Sequence, residues 1–195
     1  VSFSVEHVAP HQFAALCPRL VDIYLSAMDY PKEMFDHRVP AWIRAIYQPG
    51  FSAVVAFHTE VDDPNSLPTP IGVAYGSLGT HLDWWHSNVR QGLIERGLST
   101  DVLHNYFELT EVHVHPTQQG QGIGRQLIEK LAQTTSAEKI LLSTPEVPDE
   151  HNRAFHLYRD LGFTDVLRHF HFPGDERPFA ILGAPLPLAE RQPHP

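Results

Sequence analysis

The chain has very little cysteine: Cys17 is the single thiol among 195 residues. A lone thiol closes no internal disulfide, which suits a reducing compartment and makes the cytoplasm the expected location. Long apolar runs are also missing. A stretch such as Ala53-Val54-Val55-Ala56-Phe57 falls far short of the ~20 residues a membrane-spanning helix needs. The N-terminus shows no basic region followed by an apolar one, so no secretion signal is read there. Cationic side chains are scarce, 14 Lys and Arg against 23 Asp and Glu, for a net charge of -9. That balance argues against nucleic acid and against anionic membrane surfaces as partners. There is no repeat and no heptad stretch. No Cys or carboxylate stands at ligand spacing beside the alternating histidines His113 and His115 or His169 and His171, so no metal site is expected. Cys17 itself reads as a buried small apolar residue. The length and the 42% apolar fraction are enough for one folded domain with a full core.

Residues 11–28 carry Phe13, Leu16, Leu20, Ile23, Tyr24 and Ala27 at helical spacing, and residues 34–47 form a second helix that Pro40 kinks or breaks. Residues 51–58 and 71–78 read as a hairpin around a long, polar, proline-rich loop at 60–70. Residues 80–105, with Trp84 and Trp85, read as a helical insertion whose tryptophans either line an acceptor pocket or pack internally. The second half alternates: a strand over 107–115, a helix over 123–135, a strand over 139–143 and a helix over 149–161. Gly162 then takes the left-handed position after the last turn, and Phe163 folds back on it. Strands over 166–172 and 179–182 flank the turn at Pro173 and Gly174. From Gly183 onward the chain is expected to fray, so residues 1–183 are taken as one domain and 184–195 as a Pro-rich tail. The expected fold class is α/β, a mixed and mostly antiparallel sheet with helices on both faces.

The most informative segment lies between the strand at 107–115 and an amphipathic helix: Gln119-Gly120-Gln121-Gly122-Ile123-Gly124-Arg125. Alternating glycines leave the backbone open to a bulky anion. Successive amides can then converge on phosphate oxygens, with the positive end of the helix dipole behind them. Arg125 in the first turn opposes that dipole unless an anion is bound. A Walker loop would need Lys followed by Ser or Thr, and here Arg125-Gln126 follow. The dinucleotide spacing also fails, because the position three after Gly122 is Arg125. A nucleotide-binding protein is therefore disfavoured.

The run Val112-His113-Val114-His115-Pro116, the glycine loop and its helix resemble the cofactor motif of the GNAT N-acetyltransferase superfamily. Asn152-Arg153-Ala154-Phe155-His156-Leu157-Tyr158, with Gly162-Phe163 at its end, resembles that family's later helix. His151 stands at the spacing where many members carry the Asn. The resemblance covers residues 107–172, roughly a third of the chain. It implies acetyl-CoA as cosubstrate, and an amine, small-molecule or protein, as acceptor. Backbone groups of Val112, His113 and Val114 would meet the pantetheine arm and the thioester carbonyl. Amides of Gln119, Gly120, Gln121, Gly122, Ile123, Gly124 and Arg125 would hold the pyrophosphate, and Asn152 would contact the arm.

A lysine-like amine with pKa about 10.4 is neutral in only one part in several thousand at pH 7, a penalty of about 4 to 5 kcal/mol that a base can offset. Glu108 and Glu111 are the candidates, Glu108, the preferred one, at the spacing of the histone-acetylating branch and Glu111 at a position often acidic in bacterial-type members. Strand alternation puts Glu108 with Val112 and Val114, and Glu111 with His113. Tyr158 would protonate the departing thiolate. No nucleophile stands beside a base, so direct transfer to the amine is expected rather than a covalent intermediate. The alternative is a noncatalytic acyl-CoA-binding regulatory domain on the same fold. Homodimerisation through the sheet or the C-terminal hairpin is compatible with either.

Overall fold

In the computed structural model, residues 3–58 and 67–189 are described; the expected loop at 60–70 lies largely outside them. Seven strands are hydrogen-bonded in the order β1-β2-β3-β4-β5-β7-β6. Pairs β1–β2, β2–β3, β5–β7 and β6–β7 are antiparallel and β4–β5 is parallel. The sheet is mixed and mostly antiparallel, as the element pattern implied. The chain clusters into two compact units, Val1–Ser77 with Leu109–Thr135, and Leu78–Glu108 with Ser136–Pro195.

The first unit opens on a strand that the sequence pattern did not reveal, β1 (Phe3–Val8), whose short run of mixed polarity lies at the sheet edge beside β2 (Ser52–His58). Helices α1 (Pro10–Met28) and α2 (Phe35–Ala45) follow. Pro40 does not break α2, which runs through it. It forfeits one ladder bond, but Trp42 is buried in the core two residues on. Strand β3 (Thr69–Leu78) pairs with β2, and its Pro70 sits where the register shifts, a position a proline tolerates. Alternation along β3 sorts two layers. Val73 and Tyr75 join Phe13, Tyr24 and Trp42 in the core under α1 and α2. Gly72 points the other way, where an added Cβ would come within 3.1 Å of Leu127 and 3.3 Å of Ile123. Those two residues belong to α4 (Ile123–Ala132), whose buried stripe is Ile123, Leu127, Ile128 and Leu131. Helices therefore cover both faces here.

In the second unit, the first residues of β4 (Tyr106–Val114) pair with β5 (Lys139–Pro145), with Glu108 opposite Leu141. Strand β7 (Phe179–Pro185) lies between β5 and the edge strand β6 (Thr164–Phe170). The helical insertion is present as α3 (Trp84–Glu95). It lies so close to β6 that a Cβ on Gly92 would stand 2.5 Å from the Phe170 ring. Helix α5 (Arg153–Asp160) begins later than the pattern suggested. Asp149 and Glu150 have φ of 52° and 54°, a left-handed conformation that no helix continues. At its other end Gly162 takes φ 86° and the Phe163 amide donates to Tyr158 O, the expected glycine stop. The expectation of fraying from Gly183 onward is corrected. Gly183 and Ala184 are buried in β7, and the Leu186 amide donates to Glu138 O at 2.9 Å. Gly183 fits because an added Cβ would strike Leu141 at 2.5 Å.

Candidate active site

β4 ends at Val114, a tight turn occupies Pro116–Gln118, and the glycine loop leads into α4. The His115 amide donates to Ile71 O at 2.8 Å, and the Gln119 side chain donates to Val114 O at 3.1 Å. These bonds hold both ends of the turn to the sheet. Gly120 and Gly122 have φ of 82° and 80°, where only glycine is free of strain. A Cβ on Gly122 would meet nothing within 4 Å. The loop's outer side is thus open, and the conformation, not crowding, selects glycine. The first turn of α4 holds no acidic residue, and Arg125 lies 3.6 Å from Glu129 one turn along. Left-handed glycines, open room and an uncompensated positive helix end fit the pyrophosphate of an acyl-CoA.

On β4 in the same unit, Glu111 and His113 share a face, as alternation predicts. His113 Nε2 lies 2.6 Å from Glu111 Oε2, with side chains 9% and 22% exposed. The imidazole is set against the Tyr24 ring, edge-on at 4.9 Å, and stacks with Trp42 at 6.4 Å and 22°. Trp42 in turn contacts Phe13 and Tyr75. Sequence reasoning missed Tyr24 and Trp42 as functional neighbours. They appeared only as core positions of helical periodicity, and nothing local pairs them with His113, which lies 89 residues after Tyr24 and 71 after Trp42.

Glu108, Asn152 and Tyr158 belong to the second unit. Glu108 is half-buried close to Tyr106. Burial, then the carboxylates of Glu108 and Asp83, push the Tyr106 hydroxyl above its usual range. Tyr106 Oη is 3.1 Å from His86 Nδ1 on α3. His86 is lowered by burial, Asp83 acts against this, and Arg90 and His81 add to it. Trp85 is buried and donates to Ser143 Oγ at 3.2 Å, whereas Trp84 is exposed and stacks on Phe172. Asn152 is the N-cap of α5, its Oδ1 accepting from the Phe155 amide at 2.8 Å. Tyr158 is buried beside Phe163. Cys17 is fully buried, and burial pushes its thiol up to about 11.

A cluster of ion pairs, unforeseen in the sequence, encloses the segment before α5. Arg168 reaches Glu146 at 2.6 Å and Glu150 at 2.8 Å, and Arg159 reaches Glu150 and Asp165. His169 Nδ1 lies 2.6 Å from Glu146, and its amide donates to the same carboxylate at 2.9 Å. Burial raises the Glu146 carboxyl, but the bonds from Arg168 and the His169 amide outweigh it and hold the group low. The Arg159 bond first, then other nearby charges, hold Glu150 low as well.

A family model described as an acetyltransferase (GNAT) domain matches residues 84–165. A GCN5-like protein acetyltransferase of Mycobacterium tuberculosis is 41% identical over 184 residues, covering 85% of this chain and 89% of that protein. Among solved structures, a Salmonella typhimurium acetyltransferase with its cofactor acetyl-CoA superposes with TM-score 0.59 at 17% identity, over 100% of this chain and 98% of that one. An Escherichia coli ribosomal-protein alanine N-acetyltransferase superposes with TM-score 0.60 at 14% identity, over 99% of each chain. At these identities the two structures speak for the shared fold.

Proposed function

The chain belongs to the GNAT family of acetyl-CoA-dependent N-acetyltransferases, and from that premise we propose that its acceptor is a protein amine, acetylated by direct transfer. Membership sets aside the regulatory, noncatalytic alternative. Among the described residues, no helix is long and apolar enough to cross a membrane. The observation that carries the cofactor assignment is the open, left-handed glycine turn at Gly120 and Gly122 leading into α4.

Amides from Gln119 through Gly120, Gln121, Gly122, Ile123, Gly124 and Arg125 bind the pyrophosphate. Backbone groups of Val112, His113 and Val114 receive the pantetheine arm and polarise the thioester carbonyl. Asn152 keeps the role the family resemblance gives it, a contact to the arm. Its Oδ1 is committed to capping α5, which leaves the amide NH₂ as the group able to make that contact. A carboxylate of β4, Glu108 or Glu111, takes the ammonium proton, and Tyr158 protonates the leaving thiolate. With a thiol pKa of about 8.5 the thiolate is already a tolerable leaving group, so that acid assists without being indispensable.

Two facts favour a protein acceptor. The Mycobacterium tuberculosis relative, 41% identical over 184 residues, is named a protein acetyltransferase. The net charge of -9 attracts cationic segments such as those around exposed lysines. The test is to incubate the protein with acetyl-CoA and either a lysine-bearing peptide or spermidine, reading acetylation by mass spectrometry and thiol release by colour. Acetylated peptide is expected. Transfer to spermidine with none to any peptide would replace the protein acceptor by a small polyamine.

A further inference from the structure

We propose that Glu111 and His113 work as a pair in which Glu111 is the proton acceptor and His113 the positioning residue that holds it. The inference rests on the acceptor being a protonated amine, and it chooses between the two carboxylates of β4. Both residues lie in the unit that carries the glycine loop. The 2.6 Å contact between His113 Nε2 and Glu111 Oε2 is within the range of a strong charge-assisted bond, with the imidazole N–H donating. His113 cannot swing away, because Tyr24 from α1 meets its ring at 4.9 Å and Trp42 from α2 at 6.4 Å. Behind them Trp42 is wedged against Tyr24 at 5.5 Å and Tyr75 of β3 at 5.0 Å. A carboxylate on a strand normally samples several rotamers, at an entropic cost whenever one is required. This bond removes much of that freedom in advance. The Glu111 side chain nevertheless keeps 22% of its surface exposed, so one oxygen stays reachable by an incoming ammonium.

Among the described residues, the titratable groups in contact with His113 include Glu111 on its own strand and Tyr24 from α1, and the Arg38 guanidinium of α2 lies over the Tyr24 ring at 5.4 Å from its centroid. Chain order adds a second point. Glu111 immediately precedes Val112, the first residue whose backbone is assigned to the cosubstrate, so base and thioester are delivered by one short length of strand.

The ammonium gives a proton to the Glu111 carboxylate, and the neutral nitrogen attacks the thioester carbonyl carbon. The C–N bond forms, the C–S bond breaks, Tyr158 gives the sulfur its proton, and the second nitrogen proton returns to the Tyr158 oxygen, so the sulfur leaves as free thiol. Glu111 then returns its proton to solvent. Nothing is oxidised or reduced.

The experiment compares two acceptors that differ in their need for a base. A lysine peptide presents an ammonium, and hydroxylamine is largely neutral at pH 7. Glu111→Gln should lower kcat/KM for the peptide about 100-fold while changing transfer to hydroxylamine less than about threefold. His113→Phe keeps a ring against Tyr24 and Trp42 but loses the donor. It should lower the peptide rate about tenfold and move the acidic limb of its pH profile to higher pH, and His113→Gln, which restores a donor amide, should recover most of the loss. Calorimetric titration with acetyl-CoA checks that each variant still binds the cosubstrate. Equal loss with both acceptors, or full peptide activity in Glu111→Gln, would overturn the pair. Loss in Glu108→Gln alone would assign the base to Glu108. Absence of transfer to the peptide by the unsubstituted protein would defeat the protein-amine reading; the same comparison run with spermidine as the protonated acceptor then decides the pair, and full spermidine activity in Glu111→Gln would overturn it.

Discussion

Glu111 and Glu146 each lie 2.6 Å from a histidine nitrogen, yet the two carboxylates are in opposite situations. Glu146 is 7% exposed and is also bound by the Arg168 guanidinium and by the His169 amide. Its lone pairs are taken up by the guanidinium, the imidazole and the amide, and its proton affinity is held low. Glu111 is three times as exposed, 22% against 7%, and its imidazole partner is fixed by aromatic rings. A carboxylate that must accept and return a proton needs an open face and a partner that orients it without a permanent charge. A carboxylate that must hold a strained segment, such as Asp149 and Glu150 before α5, needs the reverse. The first unit thus presents backbone and a reachable carboxylate, and the second stiffens a connection with charge.

The sharpest way to break this comparison is at the glycine loop. Gly122→Glu sets a carboxylate where phosphate is to bind and forces a side chain into φ 80°. It should raise KM for acetyl-CoA by about 100-fold or more, on the order of 2.7 kcal/mol, as read from initial rates. Gly122→Ala sharpens the point. Space is open there, so only the left-handed conformation is penalised, about 1 to 2 kcal/mol of local strain, with a correspondingly milder effect on KM.

On the other side, Arg168→Met strips Glu146 of its guanidinium and should cost about 3 kcal/mol of stability, measured as a lower midpoint in urea. KM for acetyl-CoA in the folded variant should stay within twofold. A normal midpoint would show that the network contributes nothing. The same network, together with the separate Asp175–Arg177 pair, fixes the sign of the acid response. Glu146, Glu150 and Asp175 all have folded pKa values below their unfolded ones, with Asp175 held at about 2 chiefly by its bond to Arg177. Their contribution is complete above the ordinary carboxylate range and is lost as pH falls through the lowered values. Urea midpoints should therefore be flat from pH 7 down to about 5 and decline below about pH 4. Arg168→Met should show a shallower decline.

Smaller effects follow at α5. Tyr158→Phe should reduce kcat about tenfold and leave KM for acetyl-CoA nearly unchanged, because the thiolate can depart without full protonation. Unchanged kcat would remove Tyr158 from the chemistry. Asn152→Ala removes the cap that accepts from the Phe155 amide and should cost about 1 kcal/mol of stability, visible in the urea midpoint.

The loop, α4 and α5 were legible in the sequence because glycine spacing and a 3.6-residue apolar stripe are local signals. The parity of Glu111 with His113 was legible too, since strand alternation needs only counting. β1 was not, because an edge strand buries little and so shows weak patterning. The start of α5 was misplaced because Asp149 and Glu150 sit in left-handed conformations that their residue types do not announce. The extension of β7 past Gly183 depends on Leu141 and Glu138, residues distant in sequence. Trp42 and Tyr24 as the wall behind His113 likewise depend on how α1 and α2 cross the strands, which no local pattern encodes.

The most direct test of the central claim is a calorimetric titration with acetyl-CoA, with ATP and NAD as controls. The account predicts saturable one-to-one binding of acetyl-CoA, weakened about 100-fold or more by Gly122→Glu, with no heat from ATP or NAD at the same concentrations. Folded protein that takes up no acetyl-CoA, or that binds it equally well with Glu at position 122, would contradict it.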